Sequence, residues 1–294
     1  MNILILSRKR QLYSTRRLVE ECERLGYEPR VIDPLRFTIS ISGGKPVILH
    51  HGKELTGADV VIPRVGSYGT LYAICVVRHF DMMGIPVVNG HLPISQAKNK
   101  LASLQLLANA GVPVPDTIMS RYPKYLDKIM KLIGGPPAIL KLLRGTQGTG
   151  VIYSESAQSV ESVLDTIWSL GEDILLQQYV AESKGTDIRV LVIDGEARAA
   201  MRRIPKKGEF RSNIHRGGKG VKVDIPEKHR RIAVRAAAAI GLNVAGVDMI
   251  ESDNGPLVIE VNSSPGFEGL EKATGENAAR MIIEYAAKRA ARKE

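Results

Sequence analysis

Cysteine is nearly missing from this chain: Cys22 and Cys75 are the only two among 294 residues, and no Cys-x-x-Cys spacing occurs. That scarcity excludes a disulfide framework and a thiolate metal site, and it fits a reducing compartment. Aromatic residues make up only 5%, too few for a surface that stacks unpaired bases one after another. No uncharged apolar stretch is long enough to span a bilayer. The apolar run Ile3 to Leu6 is short, and Arg8-Lys9-Arg10 follow it instead of preceding it. It therefore reads as a strand, not a secretory signal, and a cytoplasmic protein without a membrane partner is expected. Low-complexity segments and repeats of solenoid period are also absent.

The chain is 44% hydrophobic and 24% charged, an ordinary balance for a globular protein with material for two or three cores. Its charge is lopsided. A net charge of +10 favours anionic partners such as nucleotide phosphates, acidic substrates or RNA, or else reflects a solvated surface rich in Lys and Arg.

Residues 2–7, 27–33, 58–64 and 85–89 read as strands, and 14–26 as a helix closed by Gly26. This alternation predicts a small parallel α/β domain over 1–90. The turn-rich 90–95 marks a boundary, and 96–111 reads as one helix. Beyond it, 137–143, 150–155 and 174–180 are expected strands, with a helix over 157–170. Residues 187–204 read as a hairpin folded at Asp194-Gly195. A helix over 226–241 and a hairpin over 245–262 follow, then a basic-ended helix from about 275.

The last hairpin carries the strongest chemical signal. Glu260 and Asn262 interrupt an apolar strand two residues apart, so they share one face while Leu257, Ile259 and Val261 share the other. Centring the turn on Asn254 sets Asp248 opposite Glu260, about 5 Å apart at Cβ. Two facing carboxylates need a cation or a shared proton, unless the face is simply solvated. With Asn262 beside them, the donors are all oxygen, which favours magnesium or manganese over zinc.

Upstream, "RGTQGTG" (144–150) sets Gly145, Gly148 and Gly150 between two strands. It is neither a Walker A loop nor a dinucleotide fingerprint. Such a loop is a plain turn or a flap closing over a triphosphate, with Lys141 on the strand before it. Lys100, near a helix start, gains weight only beside a metal–nucleotide site. "RSNIHRGGKG" (211–220) groups Arg211, His215 and Arg216 with paired glycines and suits clamping a carboxylate or phosphate.

Taken together, "KLLRGTQGTGV", "QQYV", "GTDIRVLV", "FRSNIHRGG", "AGVDMI" and "EVNSSPGFEGLEKATG" resemble the RimK-type glutamate ligases of the ATP-grasp superfamily. "ILSRKRQLYS" and "VIPRVG" extend the resemblance over essentially the whole chain. It implies a mixed α/β and α+β fold: an N-terminal α/β (pre-ATP-grasp) domain over 1–90, a central ATP-grasp subdomain with the glycine lid over 91–178, and a C-terminal ATP-grasp subdomain with the metal site over 179–294. It further implies ATP and two magnesium or manganese ions. Lys100 and Lys141 would hold phosphates. Gly145, Gln147, Gly148 and Gly150 would form the lid. Gln178 and Tyr179 would meet adenine, and Asp187 the ribose. Arg211, Ser212 and Asn213 would reach the phosphates, and His215, Arg216 and Gly217 the substrate. Asp248, Glu260 and Asn262 would ligate metal. Arg203 and Arg211 would stabilise developing charge, and Ser264 would meet a bound carboxylate.

The implied reaction adds L-glutamate to the acidic C-terminal tail of a small-subunit ribosomal protein or to polyglutamate, in a homo-oligomer. Two departures stand out: Arg144 occupies a position where an acidic residue often precedes the lid, and Gln178 replaces a common Glu. Alternatives are the same chemistry on a small cofactor or an amino-group carrier protein, and a non-catalytic RNA- or ribosome-binding protein.

Overall fold

Short apolar strands alternating with amphipathic helices govern the first third of the chain. The computed structural model describes residues 1–66, 69–121, 125–143, 150–206 and 217–292. β1 (Asn2–Leu6), α1 (Tyr13–Arg24) and β2 (Glu28–Ile32) form a parallel unit. A small antiparallel sheet follows, of β3 (Phe37–Ser42), β4 (Lys45–His50) and β5 (Lys53–Glu54), before β6 (Val60–Pro63) returns to the other edge of β1. α2 (Thr70–Met82) then covers one face through Val76, Val77 and Phe80. The strand expected over 85–89 contributes only a parallel bridge of Val87 to Val61, because the chain turns away at once into the next helix.

That helix corrects two expectations. Residues 90–95, expected to be turn-rich, lie largely in α3 (His91–Lys98), with Pro93 in the first turn, where backbone N–H groups have no partner within the helix. The single helix expected over 96–111 is broken at Asn99 (φ −93°, ψ 105°). Asn99 caps α4 (Lys100–Asn109) by accepting from the Ala102 N–H at 3.0 Å.

The middle of the chain builds a second antiparallel sheet from β7 (Thr117–Met119), β8 (Ala138–Leu142), β9 (Val151–Ser154) and β10 (Ile174–Gln178), in the order β7-β10-β8-β9. α5 (Leu126–Met130) and α6 (Ala157–Ser169) close its core around Leu140, Val160, Leu164 and Leu176.

The last third forms a five-stranded antiparallel sheet from β11 (Asp187–Ile193), β12 (Glu196–Ile204), β13 (Lys219–Lys222), β14 (Val244–Ser252) and β15 (Gly255–Asn262). Asp194 and Gly195, both with positive φ, make the two-residue turn between β11 and β12. α7 (Glu227–Ile240) covers one face. α8 (Glu268–Thr274) and α9 (Ala278–Ala291) lie on the other. There, Ile282, Ile283 and Phe267 share a core with Ile3, Ile5 and Ile62 of the N-terminal sheet. The two sheets are thus bound by common apolar burial and act as one platform. Among the described residues, no helix is long and apolar enough to cross a membrane.

A polar rivet joins the same two parts. Asn89 is buried. Its Oδ1 accepts from the N–H groups of Asn243 (2.8 Å) and Val244 (2.9 Å), and its Nδ2 donates to the carbonyls of Val244 (2.8 Å) and Ser263 (2.9 Å). Asn89→Ala leaves these backbone groups unpaired, with an expected cost of about 3 kcal/mol. A fall in the urea midpoint at unchanged m-value checks this; an unaltered midpoint would refute it.

Candidate active site

The β14–β15 hairpin sets the geometry. Ser252 pairs with Gly255 across a two-residue turn, and Met249 pairs with Val258, yet Asp248 pairs with Glu260. Ile259 is therefore an extra residue, a β-bulge. The expected opposition of Asp248 and Glu260 is present, but it arises from the bulge and not from a turn centred on Asn254. The expected apolar face is corrected as well. Val258 and Val261 are the buried pair, and Ile259 is half-buried. Two core positions three apart are impossible in a regular strand; the bulge turns Glu260 and Asn262 to the opposite face and keeps Val261 in the core.

On that face lie charges of alternating sign. Arg189 grips Asp248 with two hydrogen bonds, Nε to Oδ1 at 2.7 Å and Nη2 to Oδ2 at 2.6 Å. Arg203 reaches Asp248 Oδ2 at 2.9 Å and pairs with Asp187 through Nε (2.5 Å) and Nη2 (2.7 Å). Asp187, Arg203 and Asp248 are all buried. Burial favours the neutral form of Asp248, but Arg189 and Arg203 outweigh it and hold its carboxyl below the usual range. Asp248 thus takes its counter-charge from two arginines. Arg203 and Asp187, expected at the reacting groups and the ribose, are engaged with each other.

Glu260 differs from its neighbour. It is exposed, and among the described residues its carboxylate makes no hydrogen bond or ion pair. Asn262 points its amide nitrogen to the Gly246 carbonyl and Asp248 Oδ2, each at 3.5 Å, leaving its oxygen for another partner. No cluster of three His, Cys, Asp or Glu side chains that could hold a metal occurs among the described residues. The donors here are instead both Glu260 oxygens, the Asn262 carbonyl and a remaining lone pair on Asp248 Oδ1. This all-oxygen, partly filled set fits a hard divalent ion that keeps water or phosphate ligands.

Two lysines face these acids from the other side. Lys141 on β8 donates to Gln177 Oε1 at 2.6 Å, and Gln177 donates in turn to Thr117 Oγ1 at 2.8 Å. Burial pushes the Lys141 ammonium down to about 8, against the pull of Glu260 and Asp248. Lys100 donates to the carbonyls of Leu142 (2.9 Å) and Leu143 (3.2 Å). Burial lowers its pKa too, with Glu260 opposing. Lys100, Lys141, Asp187, Arg203, Asp248, Glu260 and Asn262 therefore meet between the two antiparallel sheets.

The remaining candidates lie around this centre. Gln178 is half-buried at the end of β10, its N–H on the Asp116 carbonyl at 2.8 Å. The Tyr179 ring meets Tyr153 edge-on, centroids 5.0 Å apart. Gly150 has φ +78°, and a Cβ there would sit 3.0 Å from the Leu142 side chain, so a larger residue is refused. Gly217 also has positive φ. The Ser264 hydroxyl donates to the Pro63 carbonyl at 3.2 Å, tying the loop after β15 to the N-terminal sheet. Arg144, Gly145, Gln147 and Gly148, with Arg211, Ser212, Asn213, His215 and Arg216, fall outside the described residues.

Two site residues escaped the sequence analysis. Arg189 was signalled by a charge in the apolar strand "DIRVLVI", two residues from Asp187 and hence on its face. Gln177, not Gln178, shares the face of Lys141, as strand alternation from the paired residues Leu175 and Lys141 requires.

Comparison with known proteins agrees with this fold. Residues 1–94 match the RimK pre-ATP-grasp domain, and residues 97–286 match the RimK-like ATP-grasp domain. The chain is 49% identical over 288 residues to a probable alpha-L-glutamate ligase of Marinobacter nauticus, covering 98% of this chain and 96% of that protein. It is 47% identical over 293 residues to a protein of the same name from Vibrio cholerae, covering 100% and 97%. Its fold is similar to that of the ATP-grasp ligase PsnB complexed with minimal precursor: the TM-score is 0.78 at 21% identity, over 98% of both chains.

The depressed Lys141 generates a pH test. Between about 8 and the ordinary 10.5, the folded state holds fewer protons than the unfolded state at this position, so stability rises with pH across that window. Lys141→Met should remove that part of the rise in urea midpoint. An identical pH slope in the variant would show that Lys141 titrates normally.

Proposed function

We propose, from the premise that this chain belongs to the RimK-like ATP-grasp family of ATP-dependent ligases, that it joins the amine of L-glutamate to the C-terminal carboxylate of an acidic protein tail. That tail would be the glutamate-rich end of a small-subunit ribosomal protein, or the polyglutamate growing from it. The observation that carries this reading is the exposed Glu260, unpaired among the described residues and facing Lys100 and Lys141 between two antiparallel sheets. Naming of relatives as probable alpha-L-glutamate ligases supports the choice of amino acid.

A carboxylate and an amine do not condense usefully in neutral water. ATP therefore phosphorylates the tail carboxylate, giving an acyl phosphate and ADP. The amine of glutamate attacks the acyl carbon, the C–N bond forms, phosphate departs, and the amine loses a proton. Lys100 and Lys141 offer ammonium donors to phosphate oxygens. Glu260, Asn262 and the free lone pair of Asp248 would hold divalent metal, magnesium or manganese, which supplies neutralisation of phosphate charge. Arg189 and Arg203 keep Asp248 ionised and fixed. Lid closure by Gly145 to Gly150, and charge from Arg211, Ser212 and Asn213, belong to this reading on sequence alone.

Purified protein should release ADP with ATP, magnesium, L-glutamate and an acidic-tailed peptide, and the peptide should gain mass in steps of one glutamyl residue. Glu260→Ala should lower turnover by at least ~100-fold at an unchanged melting temperature. A peptide without added mass, or a Glu260→Ala protein as active as wild type, would defeat the reading. Steeply salt-dependent RNA binding indifferent to Glu260→Ala would favour a non-catalytic role instead.

A further inference from the structure

Two cations in the cleft are left over by this chemistry. Arg64 directly follows β6, and its N–H donates to the Leu6 carbonyl at 2.8 Å. It thus stands where the carboxyl ends of two adjacent parallel strands meet, the usual ligand position of such sheets. Its guanidinium donates from Nη2 to the Pro265 carbonyl at 2.8 Å and lies 5.7 Å from the Phe267 ring centroid. Among the described residues it has no carboxylate partner, and its other donors have no acceptor. Burial pushes its pKa down to about 10.

Lys98 ends α3, which packs against β15, the strand of Glu260. Its ammonium makes no hydrogen bond or ion pair among the described residues. Burial lowers its pKa. Glu260 attracts its charge, while Arg64 and Lys100 repel it. A partly desolvated cation without a carboxylate partner is costly. Lys100 and Lys141, by contrast, are anchored on the middle sheet by Leu142, Leu143 and Gln177. Arg64 and Lys98 are anchored on the N-terminal side.

We propose that Arg64 and Lys98 form a carboxylate-binding subsite, separate from the phosphate lysines, that seats a carboxylate of one of the two glutamyl substrates. The inference rests on the ligase reading above. A planar guanidinium matches a carboxylate with two parallel hydrogen bonds, and an ammonium adds a point charge. Either free L-glutamate or the terminal glutamate of the acceptor could supply that group. Both carry carboxylates not consumed in the reaction.

Steady-state kinetics with ATP, L-glutamate and a synthetic peptide ending in two glutamates tests this, each substrate varied in turn. Lys98→Met should raise KM about tenfold or more for one of the two carboxylate substrates. KM for ATP should stay within about twofold. Arg64→Gln should move the same KM, and Lys98→Arg should restore most of the loss. The KM that moves identifies the source of the carboxylate. A KM for ATP that rises as much, or carboxylate KM values that stay put, overturns the subsite. If Arg64→Gln fails to fold, the Lys98 pair decides alone, because removing that ammonium breaks no hydrogen bond among the described residues. Absence of wild-type turnover with any acidic peptide is seen before variants are compared, and it removes the ligase premise and the subsite with it.

Discussion

Asp187, Arg203, Asp248 and Arg189 alternate in sign across three adjacent strands, and the cleft depends on their mutual compensation. Each is bound by at least one charge-assisted hydrogen bond to the next. Burying any one of them alone would cost several kcal/mol, and Arg203 and Asp248, each bound to two partners, hold the set together. The arrangement holds Asp248 ionised at a fixed place on a rigid strand. It also makes Glu260 the exception. One strand over, the second carboxylate is left outside the network, exposed and open to other partners. The contrast between two opposed acids separates a structural charge from one available for chemistry.

Facing this pair is a surplus of positive charge. Lys98, Lys100 and Lys141 each feel Glu260 across the cleft, and burial depresses the pKa of all three. Desolvated cations that outnumber nearby free acids store an unfavourable energy, which anionic substrates relieve on entry. The substrates proposed above are all anionic, so they would complete the site electrostatically. The chain's net charge of +10 has the same sign as this local surplus and would assist encounter with an acidic tail at low salt.

Much of the fold was legible because its signals are local. Asp194-Gly195 specifies a two-residue turn by its tolerance of positive φ, and apolar periodicity marked most of the longer strands and helices. The β3–β5 sheet was not anticipated, since its short half-exposed strands alternate weakly. Within the site, the opposition of Asp248 and Glu260 was anticipated by an argument with two compensating errors. The turn is one residue shorter than assumed, and a bulge at Ile259 restores the register. No local residue preference announces that bulge. It follows from the need to bury both Val258 and Val261 against α7 while turning Glu260 away. Arg189 and Gln177 were missed for a different reason. Each is polar inside a largely apolar strand, and only the cross-strand partner reveals its use.

The break at Asn99 shows how a small local choice shapes the site. In one continuous helix, residues two apart point roughly 200° from each other, so Lys98 and Lys100 would face opposite sides. Only one of them could then meet Glu260. With extended backbone at Asn99, α3 ends and α4 begins in a new direction, and both ammonium groups sense the same carboxylate. Asparagine suits the position because its side chain caps the new helix, replacing a backbone bond lost at the break. The interruption that defeats a simple helical pattern is therefore what lets one segment bring two lysines under the influence of the same carboxylate.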